Sequence, residues 1–405
     1  MKTAVFREET AAAAELLRGG GLVAVPTETV YGLAGNGMDP SVIEKLYEVK
    51  GRPAVKPISL MVAGPEAIAG LCEDVPRAAL ELAARFWPGP LTIVLKARPE
   101  VPAVLRAGGE TVGLRCPRQA QTLRLLRETG FPLAVPSANP SGRESPKTAD
   151  EVLRYFDGQI EGVIDGGPCE LGLESTVLDM SAAPYRILRQ GSLPAEEIAD
   201  ALVDAMQVIG ITGGSGSGKT TVLRELEKRG ALVLDADAVY HELLNTDTAL
   251  RAEIGEAFPA AVSDAGDGSG LKVDRGILGG IVFRNAQALQ LLNRITHRHI
   301  GAEIRRRLRD WAMRGGSLAA IDAIALHESG ENALCDWTLA VTAPPETRIR
   351  RIMDRDGITR EAAERRIHAQ LSNEDFVRLC DASLSNDGDM EALSQQLNTI
   401  LEEHI

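Results

Sequence analysis

The sequence predicts an α/β protein built as two successive domains, and three observations carry this. Short Val/Ile/Leu runs alternate with amphipathic stretches along the whole chain, the pattern of helices layered on a sheet. A length of 405 residues suits two or three domains at roughly 100–200 residues each. A fresh strand running into a glycine-rich loop begins near the midpoint, at Gln207–Gly214.

Taken in order, residues 9–18 read as a helix stopped by Gly19-Gly20-Gly21, and residues 22–25 as a short buried strand. Asp39-Pro40 opens a second helix through Lys50, with proline at its favoured first-turn position. Residues 57–62, 91–95, 111–115 and 132–136 read as strands between helices rich in Ala, Leu and Arg. Pro194 starts an amphipathic helix, and the boundary is placed after it, giving domains 1–204 and 205–405. Beyond it, strands are expected at 208–211 and 337–342 and helices after each. Residues 264–270 read as a polar loop.

Composition excludes several classes. Apolar residues at 44% and charged residues at 25% are ordinary for a globular chain, not a disordered one. The net charge is −13, with 21 basic and 26 acidic side chains in residues 1–200 and 23 and 31 in the rest. Neither half is a polybasic binder, so an anionic ligand needs a local site, and direct nucleic-acid binding is expected to be weak or absent. Five scattered cysteines without a CxxC pair argue against a disulfide framework or a structural zinc site. The first residues, which carry acids early, do not read as a secretory signal, and no run of apolar residues is long enough for a membrane span. The expected location is therefore the cytoplasm.

The sharpest motif is Gly213-Gly214-Ser215-Gly216-Ser217-Gly218-Lys219-Thr220, followed by Thr221. It fits GxxxxGK[ST] between a strand and a helix. Such a loop curls so that successive N–H groups meet phosphate oxygens, and the helix N-terminus adds positive potential. Lys219 would reach the β- and γ-phosphates of ATP, and Thr220 would ligate Mg²⁺. The next unit, Leu232–Asp237, reads as a strand ending in two carboxylates, Asp235 and Asp237. A carboxylate there can take the proton of an acceptor hydroxyl; the alternative is that Asp235 caps a helix and Asp237 is merely solvated. Farther on, Arg348, Arg350, Arg351, Arg355, Arg360, Arg365 and Arg366 suit either a flap over ATP or a solvated helix face.

The first half has no such loop. Polar residues stand instead at the ends of apolar runs: Thr27 in PTETVYG, Lys50 and Arg52 in KGRP, Lys56, Arg115, Ser137 and Asn139 in PSAN, Ser175 in ESTV, and Arg189. Hydroxyls, amides and fixed cations so placed would suit phosphate or carboxylate ligands.

The joint order of VPTETVYGLAGNG, KGRPAVKPISLMV, FWPGPLTIVL, VGLRCP, PSANPSG, ESTVLD and ILRQG resembles the YrdC-type threonylcarbamoyl-AMP synthases. The resemblance implies an open, twisted α/β sheet domain that joins threonine, bicarbonate and ATP for a tRNA modification, with tRNA-modification proteins as partners. Lys50, Arg52 and Arg189 would clamp phosphate or carboxylate. Thr27, Lys56 and Arg115 would lie around threonine and the carbamate, and Ser137, Asn139 and Ser175 would hydrogen-bond the nucleotide or the phosphates. Residues 207–405 resemble a dephospho-coenzyme A kinase through ITGGSGSGKTT, the Asp235-Ala236-Asp237 triplet, RITHRHI, the strand before ESG, RDGIT and RIHAQ. This implies a P-loop NTPase-type parallel-sheet kinase domain with a helical lid, taking dephospho-coenzyme A as acceptor. Asp237 would be the general base, Lys219 and Arg355 would act on the phosphates, and Arg366 and Gln370 would belong to the lid. The chain departs from the kinase pattern at Ile324–His327, at His241 where arginine is frequent, and at Ser372–Asp375. The expectation is a bifunctional fusion; the competing one is a nucleotide- or RNA-binding module joined to a nucleoside or nucleotide kinase.

Overall fold

The computed structural model describes residues 2–264, 266 and 270–404. The chain divides into two compact units, Met1–Ala205 with Met313–Gly315, and Met206–Ala312 with Gly316–Ile405. Most of the polar loop at 264–270 lies outside the described residues.

The first unit is one mixed ten-stranded sheet. Its strands are β1 (Ala4–Phe6), β2 (Val23–Val25), β3 (Gly32–Asn36), β4 (Leu60–Met61), β5 (Leu91–Lys96), β6 (Thr111–Arg115), β7 (Leu133–Ala134), β8 (Gly162–Ile164), β9 (Thr176–Asp179) and β10 (Arg186–Arg189). They lie in the order β1-β8-β2-β3-β7-β4-β6-β5-β9-β10. Helix Thr10–Arg18 shows how the layers are stitched. Thr10, Ala13, Ala14 and Leu17 recur at helical spacing and are buried. The last three pack with Val23, Val25, Leu125, Leu133 and Ile164. Each large aliphatic side chain so buried contributes about 1.5–3 kcal/mol. Several expected strands are shorter than their apolar runs: 57–62 keeps only Leu60–Met61, and 132–136 only Leu133–Ala134. The remaining residues of those runs are loop, and that loop lines the site.

The second unit holds a five-stranded all-parallel sheet of β11 (Gln207–Thr212), β12 (Leu232–Asp235), β15 (Leu318–Asp322), β16 (Trp337–Thr342) and β17 (Ala382–Ser385), in the order β12-β15-β11-β16-β17. A separate hairpin pairs β13 (Val262–Asp264) with β14 (Leu271–Val273). The central β11 reads as an almost unbroken apolar run because parallel strands are covered on both faces. Ile209 and Ile211 pack with Val222, Leu226, Leu339, Val341 and Leu397. Strand order changes direction between β15, β11 and β16, so the carboxyl ends of these strands open a crevice at β11. Among the described residues no helix is long and apolar enough to cross a membrane.

Candidate functional site

In the first unit, helix Pro40–Lys50 delivers the first cations. Asp39 caps it, accepting from the Ser41 N–H at 2.9 Å, and Gly51 ends it at φ +55°, a left-handed turn that glycine adopts without strain. Lys50 is thereby buried in the last turn, and its Nζ donates to the carbonyls of Ser137 and Asn139. Burial, and then the nearby Arg52 charge, bring its pKa down to about 7. Arg52 just beyond the helix donates from Nε to the Lys56 carbonyl at 3.1 Å and from Nη2 to the Pro57 carbonyl at 2.8 Å. The 52–57 loop therefore wraps its guanidinium.

A cavity of about 360 Å³ is lined by Arg52, Arg115, Ser137, Ser175 and Arg189, together with Thr29, Thr92 and Glu174. These residues come from loops and strand ends far apart in the chain. Arg115, at the end of β6, is held from three sides: Nε donates to the Gly89 carbonyl at 3.2 Å, Nη2 to Thr29 Oγ1 at 2.9 Å, and Nη2 also pairs with Glu28 Oε1 at 2.9 Å. Arg189 ends β10 and crosses to the Ser175 carbonyl (Nε at 3.1 Å, Nη2 at 2.9 Å) and to Ser175 Oγ at 3.1 Å. Ser175 Oγ also lies 2.9 Å from Thr92 Oγ1. Glu174 pairs with Arg189 and accepts from Ser145 Oγ at 3.0 Å. The wall thus offers fixed guanidinium groups beside hydroxyls, an arrangement that holds and polarises phosphate or carboxylate oxygens.

The other residues expected here do not line the cavity. Thr27 is buried behind it, its hydroxyl donating to the Val30 carbonyl at 2.6 Å and accepting from the Thr29 and Val30 N–H groups. Lys50 and Asn139 also stand behind the wall; Asn139 Nδ2 donates to the Pro140 and Arg143 carbonyls, and its Oδ1 is buried without a partner. Lys56 has an exposed side chain and takes part through its carbonyl, which also accepts from Tyr47 Oη at 2.9 Å. Sequence reasoning missed Glu28. Its signal was there: Glu28 is the only Asp, Glu, Lys or Arg between Arg18 and Asp39, a charge set in an otherwise uncharged segment.

In the second unit, β11 runs straight into the glycine loop. Gly213 lies at φ +143°, and a Cβ there would come 2.1 Å from the Val341 carbonyl oxygen; at Gly218, φ +94°, it would come 1.9 Å from Asn386 Nδ2. Only glycine meets both conditions. The loop is gripped from outside. Arg348 Nε donates to the Ser215 carbonyl at 2.9 Å, Arg351 Nη1 to those of Gly216 and Ser217, and Asn386 Nδ2 to that of Ser217 at 2.9 Å. Gln370 accepts from the Ser215 N–H at 2.8 Å and donates to Ser215 Oγ at 2.9 Å. Gly214 and Gly218 complete the turn, and Lys219, Thr220 and Thr221 begin helix Lys219–Lys228, so its free N–H groups face the loop's end.

Lys219 Nζ donates to the Gly213 carbonyl at 2.9 Å and lies 3.9 Å from Asp322 Oδ1. Asp322 closes β15 in register with Asp235 at the end of β12. Its Oδ1 is buried without a hydrogen-bond partner. Burial, which Lys219 opposes, pushes the Asp322 carboxyl up to about 6, and burial lowers the Lys219 ammonium. Asp322 was not anticipated, because a lone Asp after an apolar run is also an ordinary strand end.

The two carboxylates expected at one strand end are separated by secondary structure. Asp235 ends β12 and caps helix Ala236–Thr246, accepting from the Ala238 N–H at 3.0 Å. Asp237 lies in that helix's first turn and is exposed. Capping engages the first carboxylate and leaves the second exposed.

Arg355 forms a two-pronged pair with Asp356, at 2.7 and 3.0 Å, and Arg366 joins the same carboxylate. Of the arginines read as flap or solvated face, Arg348 and Arg351 brace the loop, while Arg360 pairs with Glu346 and Glu364 on the surface. The Ser372–Asp375 departure has a structural role: Ser372 and Asp375 form a reciprocal capping box that starts helix Asn373–Leu379.

Comparison with known proteins follows this division. Residues 15–191 match the Sua5/yciO/yrdC family model, described as telomere recombination, and residues 207–392 match the dephospho-CoA kinase model. A threonylcarbamoyl-AMP synthase of Pyrococcus abyssi is 46% identical over 46% of this chain and 55% of its own length. The chain therefore spans little more than half of that relative. A putative threonylcarbamoyl-AMP synthase of Mycobacterium tuberculosis is 37% identical over 48% of this chain and 89% of its own. A dephospho-CoA kinase of Carboxydothermus hydrogenoformans is 34% identical over 49% of this chain and 94% of its own. The chain belongs to two families, the Sua5/yciO/yrdC family through its first half and the dephospho-CoA kinase family through its second.

Proposed function

We propose that the chain is a bifunctional ATP-using enzyme, a threonylcarbamoyl-AMP synthase fused to a dephospho-coenzyme A kinase. For the first half, the supporting observation is the cavity in which Arg52, Arg115 and Arg189 converge beside Ser137 and Ser175. The threonine amine attacks the carbon of bicarbonate, water is lost, and a carbamate forms. A carbamate oxygen then attacks the α-phosphorus of ATP, and pyrophosphate leaves. Both steps concentrate negative charge on oxygen, and fixed guanidinium groups stabilise it with little reorganisation. The product feeds threonylcarbamoylation of tRNA, which brings tRNA-modification proteins in as partners and places the reaction in the cytoplasm.

For the second half, the supporting observation is a glycine loop with Lys219 at its helix start and a free carboxylate, Asp237, at the next strand-to-helix turn. Asp237 takes the proton of the ribose 3′-hydroxyl of dephospho-coenzyme A as that oxygen attacks the γ-phosphorus, and ADP leaves. Lys219 and Arg355 offset charge on the phosphates. Thr220 and Asp322 Oδ1, which accepts no hydrogen bond, suit Mg²⁺, which prefers a few oxygen ligands plus phosphates; bound there, it would neutralise phosphate charge.

The test is a two-substrate assay on the intact chain. Pyrophosphate release should require threonine, bicarbonate and ATP together, and dephospho-coenzyme A should be phosphorylated. Threonine-independent pyrophosphate release would overturn the first assignment, and preference for another nucleoside acceptor the second.

A further inference from the structure

The cavity of the first unit is lined by three guanidinium groups, those of Arg52, Arg115 and Arg189, with hydroxyls between them. Among the described residues that line it, Glu174 is the one carboxylate. No His, Lys, Asp or Cys stands with it in that lining, and the Tyr31 hydroxyl is spent on the Gly167 carbonyl at 2.8 Å.

Glu174 is held in place and still open. Its Oε1 accepts from Ser145 Oγ at 3.0 Å, and its Oε2 pairs with Arg189 at the end of β10. Its charge also acts on Lys50 and Arg52. An ionised carboxylate accepts at about four lone-pair positions, so these contacts fix the group without filling it. The side chain is 36% exposed, which gives a proton on it a way out to water.

The chemistry asks for such a group. An amino acid arrives as a zwitterion, and its ammonium nitrogen has no lone pair with which to attack carbon. Guanidinium groups nearby repel the ammonium and weaken its hold on the proton. Neither they nor neutral hydroxyls receive that proton at neutral pH, whereas a carboxylate does. Resting on the synthase reading above, we infer that Glu174 is a catalytic residue of the first half: it binds the threonine ammonium and takes one of its protons. The neutral nitrogen then forms its bond to the bicarbonate carbon, and the bicarbonate hydroxyl leaves as water with a second proton from nitrogen. The proton on Glu174 passes to solvent, which restores the carboxylate.

The test compares wild type with Glu174→Gln, Glu174→Asp and Glu174→Ala in the full chain. For Glu174→Gln, kcat/KM for threonine should fall about a hundredfold or more at pH 7. The loss should shrink at least tenfold at pH 9.5, where solution supplies neutral amine. KM for ATP should stay level or fall, because Arg189 loses a competing carboxylate. Glu174→Asp should keep a tenth or more of the activity, and added acetate should accelerate Glu174→Ala but not wild type. If Glu174 serves only to position Arg189, the loss falls on KM for ATP, is equal at both pH values and is not rescued by acetate; that result overturns the inference. Calorimetry needs no turnover. Glu174→Gln should bind threonine at least tenfold more weakly, and 3-hydroxybutyrate, which is threonine without its amine, within twofold of wild type. Equal weakening of both ligands, or no wild-type binding of threonine, overturns the inference. The expected binding pattern without pyrophosphate release by wild type would overturn the synthase reading and leave the ammonium site standing.

Discussion

Glu28 and Arg115 form an ion pair at 2.9 Å with side chains only 1% and 8% exposed. Glu28 Oε2 also accepts from the Arg118 N–H at 3.0 Å, tying the β2–β3 connection to the end of β6. Burying both charges is costly, and their attraction together with these hydrogen bonds offsets much of that cost. Breaking the pair leaves an uncompensated buried guanidinium. Glu28→Ala should therefore lower unfolding free energy by about 3–5 kcal/mol, read from urea denaturation of the intact chain. Glu28→Gln, which keeps the shape and one acceptor, should cost less. A loss under about 1 kcal/mol for Glu28→Ala would show that the pair contributes little to the fold.

Lys50 should make ligand binding proton-linked. Its pKa is about 7 in the folded protein against an ordinary 10.5, so the unfolded chain binds more protons between those values. Its contribution to stability therefore rises with pH across that window and is flat outside it. A polyanion in the adjoining cavity would raise the Lys50 pKa again. ATP binding at pH 8 should then take up a fraction of a proton more in wild type than in Lys50→Met. Calorimetry in buffers of different ionisation enthalpy measures this, and identical uptake by both would contradict it.

On the proposed mechanism Asp237→Asn removes the proton acceptor, and it keeps the helix start, because Asp235 supplies the cap. Phosphoryl transfer should fall about 10²–10⁴-fold, with KM for ATP nearly unchanged in steady-state assays. Pyrophosphate release by the first half should not respond.

Asp322→Asn should trade activity for stability. The Asp322 carboxyl is raised to about 6 from 3.8. The folded state therefore binds more protons between those values, and this residue's stabilisation is present below the lower one and lost as pH rises through the upper one. At pH 8 the buried charge is a net cost. The amide should raise the melting temperature at pH 8 more than at pH 4, while kinase activity drops. Calorimetric scans at the two pH values give the comparison; equal shifts would show that the charge is not the cause.

Much of the second site was legible because it is contiguous. Gly213, Gly218 and Lys219 lie within seven residues, and their geometry follows from glycine's freedom at positive φ and from a helix beginning at Lys219. Asp237 was legible as a carboxylate, but the choice between a strand end and a helix capped by Asp235 was not, since strand and helix both tolerate the Asp-Ala-Asp sequence. In the first half the residue types were legible and their order was distinctive. Which of them form the wall was not: Arg52 and Arg115 face the cavity, while the Thr27 hydroxyl is turned to loop hydrogen bonds and the Lys56 side chain is exposed.

The sequence alone determined the two α/β halves, the helix start at Asp39-Pro40, and the glycine loop between strand and helix, because each depends on backbone preferences over a few neighbouring residues. Tertiary structure decided what no local window contains. Pairing of β5 with β6 and β9, and of β9 with β10, brings Arg115, Ser175 and Arg189 to one cavity, and alignment of β12 with β15 sets Asp322 beside Lys219. The physical reason is that strand pairing joins segments distant in sequence, and the burial it creates pushes the Asp322 carboxyl upward.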